Sequence, residues 1–189
     1  IHQLFIPELV LLLRRGGIEQ QFMSRLSDNL AKLRDYGDVC IRKKKSNMEY
    51  LVGQSPLCSM RFLLPGSNIR VLFVYQNEMV YLLTAFHERA GHQNTAYPKY
   101  TPIAKQRFNE LKGGLIMSCR ATLSDLIKAI TQNMSAAEMA KAAINIQIQQ
   151  MIHDTRMEKG WTQKDLAEKM GVKQSLVSRW ESGECNYTI

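Results

Sequence analysis

A group of polar side chains near the C-terminus has the types and spacing needed to read DNA. They lie on one face of a predicted short helix: Lys173, Gln174, Ser175, Ser178 and Arg179. Glutamine and arginine can pair bidentately with adenine and guanine in the major groove. The opposite face is apolar, so the helix could lie in the groove with its back against a core.

Two short helices joined by a tight turn must position this face. Gly171 marks the turn, and apolar residues at helical spacing are predicted to form the core between the helices. These residues are Leu166, Ala167, Met170, Leu176, Val177 and Trp180. A longer helix precedes the pair: Ser135-Ala136-Ala137-Glu138 is a capping box that begins it, and Lys159-Gly160 ends it. Its Ala- and Ile-rich face runs through Ala140, Ile144, Ile148, Met151 and Ile152.

The sequence over residues 144–183 resembles the helix-turn-helix family of phage-repressor type, the XRE/Cro class, which includes HigA-like antitoxins. The resemblance rests on Thr-Gln-x-x-Leu-Ala, then Gly-Val, then Ser, then Trp-Glu-Ser-Gly. It implies that Gln163 and Lys173 contact the phosphates of operator DNA, and that Gln174, Ser175, Ser178 and Arg179 reach base edges. For each of them a solvated helix face is the alternative. The family domain usually continues with further helices, so we expect a domain truncated at its C-terminus.

The first part of the chain changes from a helical to a strand period. Helices are predicted over residues 7–36 and 102–112, with a basic loop at 38–47 and a polar loop at 87–100. Between the loops, runs rich in β-formers occupy residues 48–52, 57–64, 69–75 and 79–86, separated by turn residues. This pattern predicts an antiparallel meander with packed helices, in which the last, nearly all-apolar strands lie centrally.

Four segments of this part resemble the RelE/ParE toxin superfamily, most closely its HigB-like branch: Ser59–Phe62, Asn68–Phe73, Val80–Phe86 and Pro102–Arg107. The resemblance covers about residues 20–112. It implies an RelE-like α+β fold and a messenger-RNA endoribonuclease that acts on the ribosome. Such an enzyme uses attack of a 2′-hydroxyl on the adjacent phosphate, and it requires no metal or cofactor.

The resemblance also implies a set of site residues. Arg70 would hold the scissile phosphate, with Arg61 and Arg89 as further cations. His87 or His92 would serve as acid or base, because imidazole titrates near neutral pH. Tyr97 or Tyr100 would stack on a base or donate a proton.

Simpler explanations exist for these residues. Arg61 and Arg70 could form ion pairs on the sheet, His87 could be hydrogen-bonded at a strand end, and both tyrosines could pack the loop. The chain also has His87-Glu88-Arg89 where many relatives carry Lys-Lys-Thr. Glu88 could act as a base, or it could neutralise the site.

A run of basic residues in the predicted loop at 38–47 suits ribosomal RNA, because phosphate binding depends on charge rather than sequence. The run consists of Arg42, Lys43, Lys44 and Lys45. A solvated loop is the alternative.

Composition limits the class of protein. The net charge of +8 favours polyanionic partners, and residues 1–114 hold 16 Lys and Arg against 9 Asp and Glu. No apolar run approaches the roughly 20 residues of a membrane span, and no signal peptide is evident, so we expect a cytoplasmic protein. The cysteines lie far apart without metal-ligand spacing, which predicts reduced structural thiols.

These observations together predict three segments. Residues 1–114 form a RelE/HigB-like toxin domain, residues 115–143 a helical connector, and residues 144–189 the helix-turn-helix domain. Met117-Ser118 looks like the start of a separate protein, as if two adjacent genes had been joined. The expected partners are operator DNA, messenger RNA on the ribosome and a further copy of the chain. Toxin and antitoxin parts would contact each other within or between chains.

Three functions follow from this organisation. The first is a toxin–antitoxin protein that joins a ribosome-dependent endoribonuclease to a DNA-binding autorepressor. The second is a transcription regulator whose toxin-like part is inactive and serves interaction only. The third is a gyrase inhibitor of ParE type, which shares the fold but cleaves no RNA.

Overall fold

The computed structural model describes residues 1–14, 18–43, 46–88, 93–113, 120–132 and 134–181. The chain divides into two compact units, residues 1–19 with 32–133 and residues 20–31 with 134–189. The first unit contains helices and an antiparallel sheet, and the second is helical, so the predicted α+β class is confirmed. The predicted site residues Lys44, Lys45, Arg89 and His92, and the domain boundary after residue 114, lie outside the described residues.

The sheet of the first unit is the predicted meander. Its strands are Met48–Tyr50 (β1), Cys58–Leu64 (β2), Ser67–Gln76 (β3) and Met79–His87 (β4), hydrogen-bonded in the order β1-β2-β3-β4. Asn77 and Glu78 join β3 to β4 with φ values of 53° and 60°, the left-handed conformation that a two-residue hairpin favours. The prediction that the last two strands lie in the centre of the sheet is wrong for β4, which is an edge strand.

The first unit contains the helices Phe5–Arg14 (α1), Val39–Arg42 (α3), Gln93–Lys112 (α4) and Leu123–Thr131 (α5). Two of them explain why the edge strand β4 is apolar. Both α1 and α4 pack against β4, so this strand is buried without a neighbouring strand on its far side. The core beneath α4 consists of Leu57, Leu72, Val74, Leu83, Phe86, Ala104, Phe108 and Leu111.

Helices α3 and α4 depart from the sequence prediction. The predicted basic loop at 38–47 contains α3. The predicted connector contains α5, which Thr122 begins through a capping box with Asp125. Helix α4 starts at Gln93 and continues through Pro98 and Pro102, although prolines usually end a helix. Tertiary packing outweighs propensity here, because Tyr97 and Tyr100 in these turns pack on Phe86 of the sheet.

The second unit holds the two short helices predicted near the C-terminus. Its helices are Ala136–Glu158 (α6), Gln163–Met170 (α7) and Gln174–Glu181 (α8). The helix Glu19–Tyr36 (α2) contributes its residues 20–31 to the same unit. Capping boxes begin α6 at Ser135, as predicted, and α7 at Thr162.

The core of this unit is close to the predicted one. Leu166, Ala167 and Val177 are buried, and Trp180 packs against them half-buried. Met170 was predicted to be buried but is 54% exposed, because it is the last residue of α7, directly before the turn. Gly171 makes that turn at φ 66° and ψ 27°, a left-handed conformation that glycine adopts without a Cβ clash.

Within the described ranges, no helix is long and apolar enough to cross a membrane. Cys40 and Cys58 are buried free thiols. Burial raises the pKa of the Cys58 thiol to about 12, so the residue remains an uncharged core side chain at neutral pH. Cys119 and Cys185 lie outside the described residues.

Candidate nucleic-acid interface

Helix α8 presents the polar face that the sequence predicts. Lys173, Gln174, Ser175 and Arg179 are exposed, and Ser178 is half-buried. The buried Val177 holds the opposite side of α8 against α7. A short helix with one buried and one exposed polar side has the form required to enter a major groove.

Two glutamine side chains at the start of α7 and α8 are joined to each other. The Gln174 amide donates a hydrogen bond to Gln163 Oε1 at 3.2 Å. Gln163 in turn donates through Nε2 to Glu181 Oε2 at 2.8 Å. This chain of contacts engages both ends of the Gln163 amide and the nitrogen of the Gln174 amide, and it orders both side chains before any ligand arrives.

A buried ion pair holds Glu181, the residue that accepts the hydrogen bond from Gln163. Arg156 of α6 donates to both carboxylate oxygens of Glu181, at 2.5 and 3.0 Å. It also donates to the Trp161 carbonyl at 2.9 Å. Both charged side chains are less than a tenth exposed. This pair was not predicted from the sequence, although a charged residue at the helical spacing of the predicted apolar face of α6 could have indicated it.

The start of α7 is fixed by its own cap. The Thr162 backbone N–H donates to Asp165 at 2.7 Å, and this hydrogen bond holds the pKa of the Asp165 carboxyl below its ordinary value. Lys159 and Lys169 lie over the ring of Trp161, at 5.3 and 4.7 Å from its centroid. These contacts fix the segment between α6 and α7, so α7 presents Gln163 in one orientation.

The other predicted site lies on one face of the sheet. Arg61 and Arg70 are directly opposed on β2 and β3, so their side chains share a face. Arg70 is 7% exposed and donates to Glu88 Oε2 at 2.8 Å and to Glu49 Oε1 at 3.0 Å. The structure therefore has Arg70 in the ion pairs that were its alternative explanation.

Glu88 is the buried partner of Arg70. It is 2% exposed, and it also accepts a hydrogen bond from Asn68 Nδ2 at 2.9 Å. Two carboxylates around one guanidinium leave this cluster with a net negative charge if all three groups are ionised. Such a charge opposes phosphate binding at Arg70. Sequence reasoning missed Glu49, because it reaches Arg70 from β1 only through the pairing of the strands. It also missed Asn68, which lies two residues before Arg70 on β3 and contacts the cluster through Glu88.

Tyr97 joins the same cluster from α4. Its hydroxyl lies 3.0 Å from Ser59 Oγ and 3.4 Å from Glu49 Oε1, and its ring lies 5.9 Å from the Arg70 guanidinium carbon. Burial raises the pKa of the Tyr97 phenol above its ordinary value. The phenol is therefore protonated at neutral pH and can act as a hydrogen-bond donor.

The remaining predicted residues stand apart from these contacts. His87 is exposed at the end of β4, where its Nε2 lies 3.4 Å from the Asn68 backbone nitrogen. Arg61 is half-buried, and no hydrogen bond or ion pair of its side chain is seen to another described residue. Arg42 pairs with Asp38 at 2.9 Å, and Lys43 lies over the Tyr36 ring at 5.0 Å. Arg42 and Lys43 are thus exposed but already in contact with their own helix or with α2.

Comparison with known proteins finds similarity for one stretch of the second unit. A helix-turn-helix family model matches residues 152–185, so the predicted helix-turn-helix is confirmed for that part of the chain. The antitoxin HipB of Escherichia coli strain K12 is 44% identical over 34 residues, which are 18% of this chain and 39% of HipB. The chain thus matches well under half the length of this relative. No solved structure matches, and the RelE/ParE resemblance of the first part stays a prediction.

Proposed function

We propose that this chain is a DNA-binding transcription regulator of the antitoxin kind. The observation that carries the proposal is the linked pair Gln163–Gln174 on the exposed side of a helix-turn-helix, fixed from below by Glu181. Ordered amides are suited to a phosphate and an adenine edge, and Arg179 next to them is suited to guanine. The likeness to a protein named as an antitoxin supports the same class.

A binding assay tests this proposal. We would titrate the full chain into a labelled duplex taken from the DNA directly upstream of its own coding sequence, and into a scrambled duplex. Arg179→Ala is expected to weaken binding to the first duplex by about 1–3 kcal/mol, with little effect on the second, because base contacts carry specificity. Lys173→Ala is expected to weaken both and to reduce the salt slope by about 1.

Lys141→Ala is the matched control, because it removes an equal charge from an exposed position on α6. Equal affinity of the wild-type chain for both duplexes, unaffected by Arg179→Ala, would contradict sequence-specific binding.

A second candidate function is RNA cleavage by the first unit, as the RelE/ParE resemblance implies. One observation favours it: Glu49, Tyr97 and Arg70 lie within contact distance on one sheet face that Arg61 shares. A carboxylate, a protonated phenol and cations are the groups that metal-independent cleavage needs. The enclosure of Arg70 between two carboxylates weighs against it, so we place the inactive, interaction-only form of this unit ahead of the active one.

Tyr97→Phe tests the nuclease directly, because it removes one hydroxyl and leaves the ring on Phe86. If the unit cleaves messenger RNA on translating ribosomes, we expect this variant to lose about 10²-fold or more in rate, the usual contribution of a positioned acid or base. Mapped messenger-RNA ends provide the measurement. Tyr100→Phe is the control, since Tyr100 stacks on the same ring at 4.3 Å.

Intact messenger RNA with the wild-type chain would exclude the nuclease. If the chain instead inhibited the supercoiling of DNA by gyrase and left translation undisturbed, the gyrase inhibitor of ParE type would be supported.

A further inference from the structure

One stretch of helix α2 belongs to the same unit as the helix-turn-helix. Residues 20–31 of α2 form a compact unit with residues 134–189, although more than a hundred residues separate them in the sequence. Ser24 is 5% exposed, and its hydroxyl donates to Gln149 Oε1 at 2.8 Å. A second contact joins Gln150 Nε2 to Ser27 Oγ at 3.2 Å. Both contacts connect α2 to α6.

Gln149 connects this contact to the recognition helix. Its Nε2 donates to the backbone carbonyl of Glu181 at 2.6 Å, and Glu181 is the last residue of α8. An amide has one acceptor end and one donor end. Because the Ser24 hydroxyl engages the acceptor end, the donor end is left for α8, and Nε2 makes its shorter contact there and a longer one, 3.4 Å, to the Ser24 carbonyl.

The burial pattern of α6 agrees with a polar contact surface. Asn145 and Gln149 are at most 9% exposed, whereas Ile144 and Met151 on the same helix are 42% and 67% exposed. A buried amide is stable only when its hydrogen bonds are satisfied. This face of α6 therefore fits a helix that carries small hydroxyl side chains, which is what α2 presents at Ser24 and Ser27.

We propose that residues 20–31 of α2 are a positioning element of the DNA-binding unit. Seated on α6, they orient Gln149, and Gln149 fixes the end of the recognition helix. Discrimination between operator and other DNA then depends on the part of the chain that precedes the helix-turn-helix. This inference rests on the proposed DNA-binding function and names an element that regulates it.

A double-mutant cycle tests the inference in the full chain, with Ser24→Ala, Gln149→Ala and the pair. The first readout is the ratio of affinities for the upstream and scrambled duplexes. Each single variant is expected to lower this ratio about three- to tenfold, the range of a lost buried hydrogen bond. The pair should be no worse than Gln149→Ala, because both changes break one connected contact. Gln147→Ala, exposed on α6, is the control.

General destabilisation of the unit would weaken binding to both duplexes equally and leave the ratio of the two affinities unchanged. This ratio therefore distinguishes a positioning role from a role in folding. An unchanged ratio in both single variants, or strictly additive losses in the pair, would overturn the inference while leaving DNA binding intact.

Hydrogen exchange of residues 174–181 is the second readout, and it needs no DNA. Ser24→Ala and Gln149→Ala are expected to increase exchange there to the same extent, and Gln147→Ala to leave it unchanged. If the wild-type chain binds neither duplex, the proposed function fails, and this readout alone decides whether α2 orders α8. Unchanged exchange in both variants would refute the positioning role.

Discussion

Replacing Glu181 with alanine is expected to lower the free energy of unfolding of the helix-turn-helix unit by about 3–5 kcal/mol. The change removes both carboxylate oxygens that accept hydrogen bonds from Arg156. The guanidinium would then lose the carboxylate that accepts two of its hydrogen bonds while it stays buried, since Arg156 is 7% exposed. Breaking one partner of a buried pair costs more than the pair itself contributes, because the remaining charge is not solvated.

Tryptophan fluorescence during urea unfolding measures this effect selectively. The chain has two tryptophans, Trp161 and Trp180, and both lie in the second unit. Glu168→Ala is the matched control, because it removes an exposed carboxylate whose pair with Lys164 spans 3.6 Å. An exposed pair of this kind contributes at most about 1 kcal/mol. If both variants unfolded at the same urea concentration as the wild type, the buried pair would have no structural role.

The double replacement Arg156→Leu with Glu181→Leu sharpens this test. Removing both charges avoids the unpaired group, so most of the stability lost in Glu181→Ala should return. DNA binding should not return, because Gln163 loses the carboxylate that orients its amide. Stability and DNA affinity would then separate within one pair of residues.

Local patterns of sequence account for the parts of the fold that were predicted correctly. The hairpin at Asn77-Glu78, the capping box at Ser135 and the turn at Gly171 each depend on a few neighbouring residues. The information for such elements lies within a few consecutive residues. The helix-turn-helix was predictable for the same reason, since its two helices and their turn are contiguous.

The buried face of the long helix α6 could not be predicted in this way. Its sequence indicates an apolar face through Ile144 and Met151, yet the structure buries Asn145, Gln149 and Arg156 and leaves the apolar residues more exposed. Gln149 and Arg156 are satisfied by partners that the periodicity of α6 does not contain: Ser24 on α2 and Glu181 on α8. Periodicity measures hydrophobicity along one helix, whereas hydrogen-bond partners come from distant segments.

The sheet cluster shows the same limit at a candidate site. Arg70 was identified from its strand position, but Glu49 and Glu88 decide its charge environment. They lie 21 and 18 residues away in the sequence, and only strand pairing brings them together. A cation that is exposed in an isolated strand thus becomes a buried member of an ion pair.

Arg70→Ala is therefore expected to act on stability before it acts on any chemistry. Glu88, at 2% exposure, would lose its guanidinium, and we expect the first unit to lose about 3–5 kcal/mol of unfolding free energy. Hydrogen exchange in β3 and β4 provides the measurement, because neither tryptophan lies in this unit. Glu88→Ala added to Arg70→Ala should recover much of the loss, since no buried carboxylate then remains unpaired.

Arg61→Ala is the decisive comparison, because Arg61 lies directly opposite Arg70 on the neighbouring strand. Arg61 is half-buried, and no ion pair of its side chain is seen within the described part of the chain. Its removal should change stability by no more than about 0.5 kcal/mol. A role for both arginines in holding phosphate would make both variants inactive, yet only Arg70→Ala should increase exchange in the strands. Equal hydrogen exchange of β3 and β4 in the two variants would show that the ion pairs of Arg70 do not stabilise the sheet. It would then favour the phosphate-binding role that the strand position of Arg70 suggests.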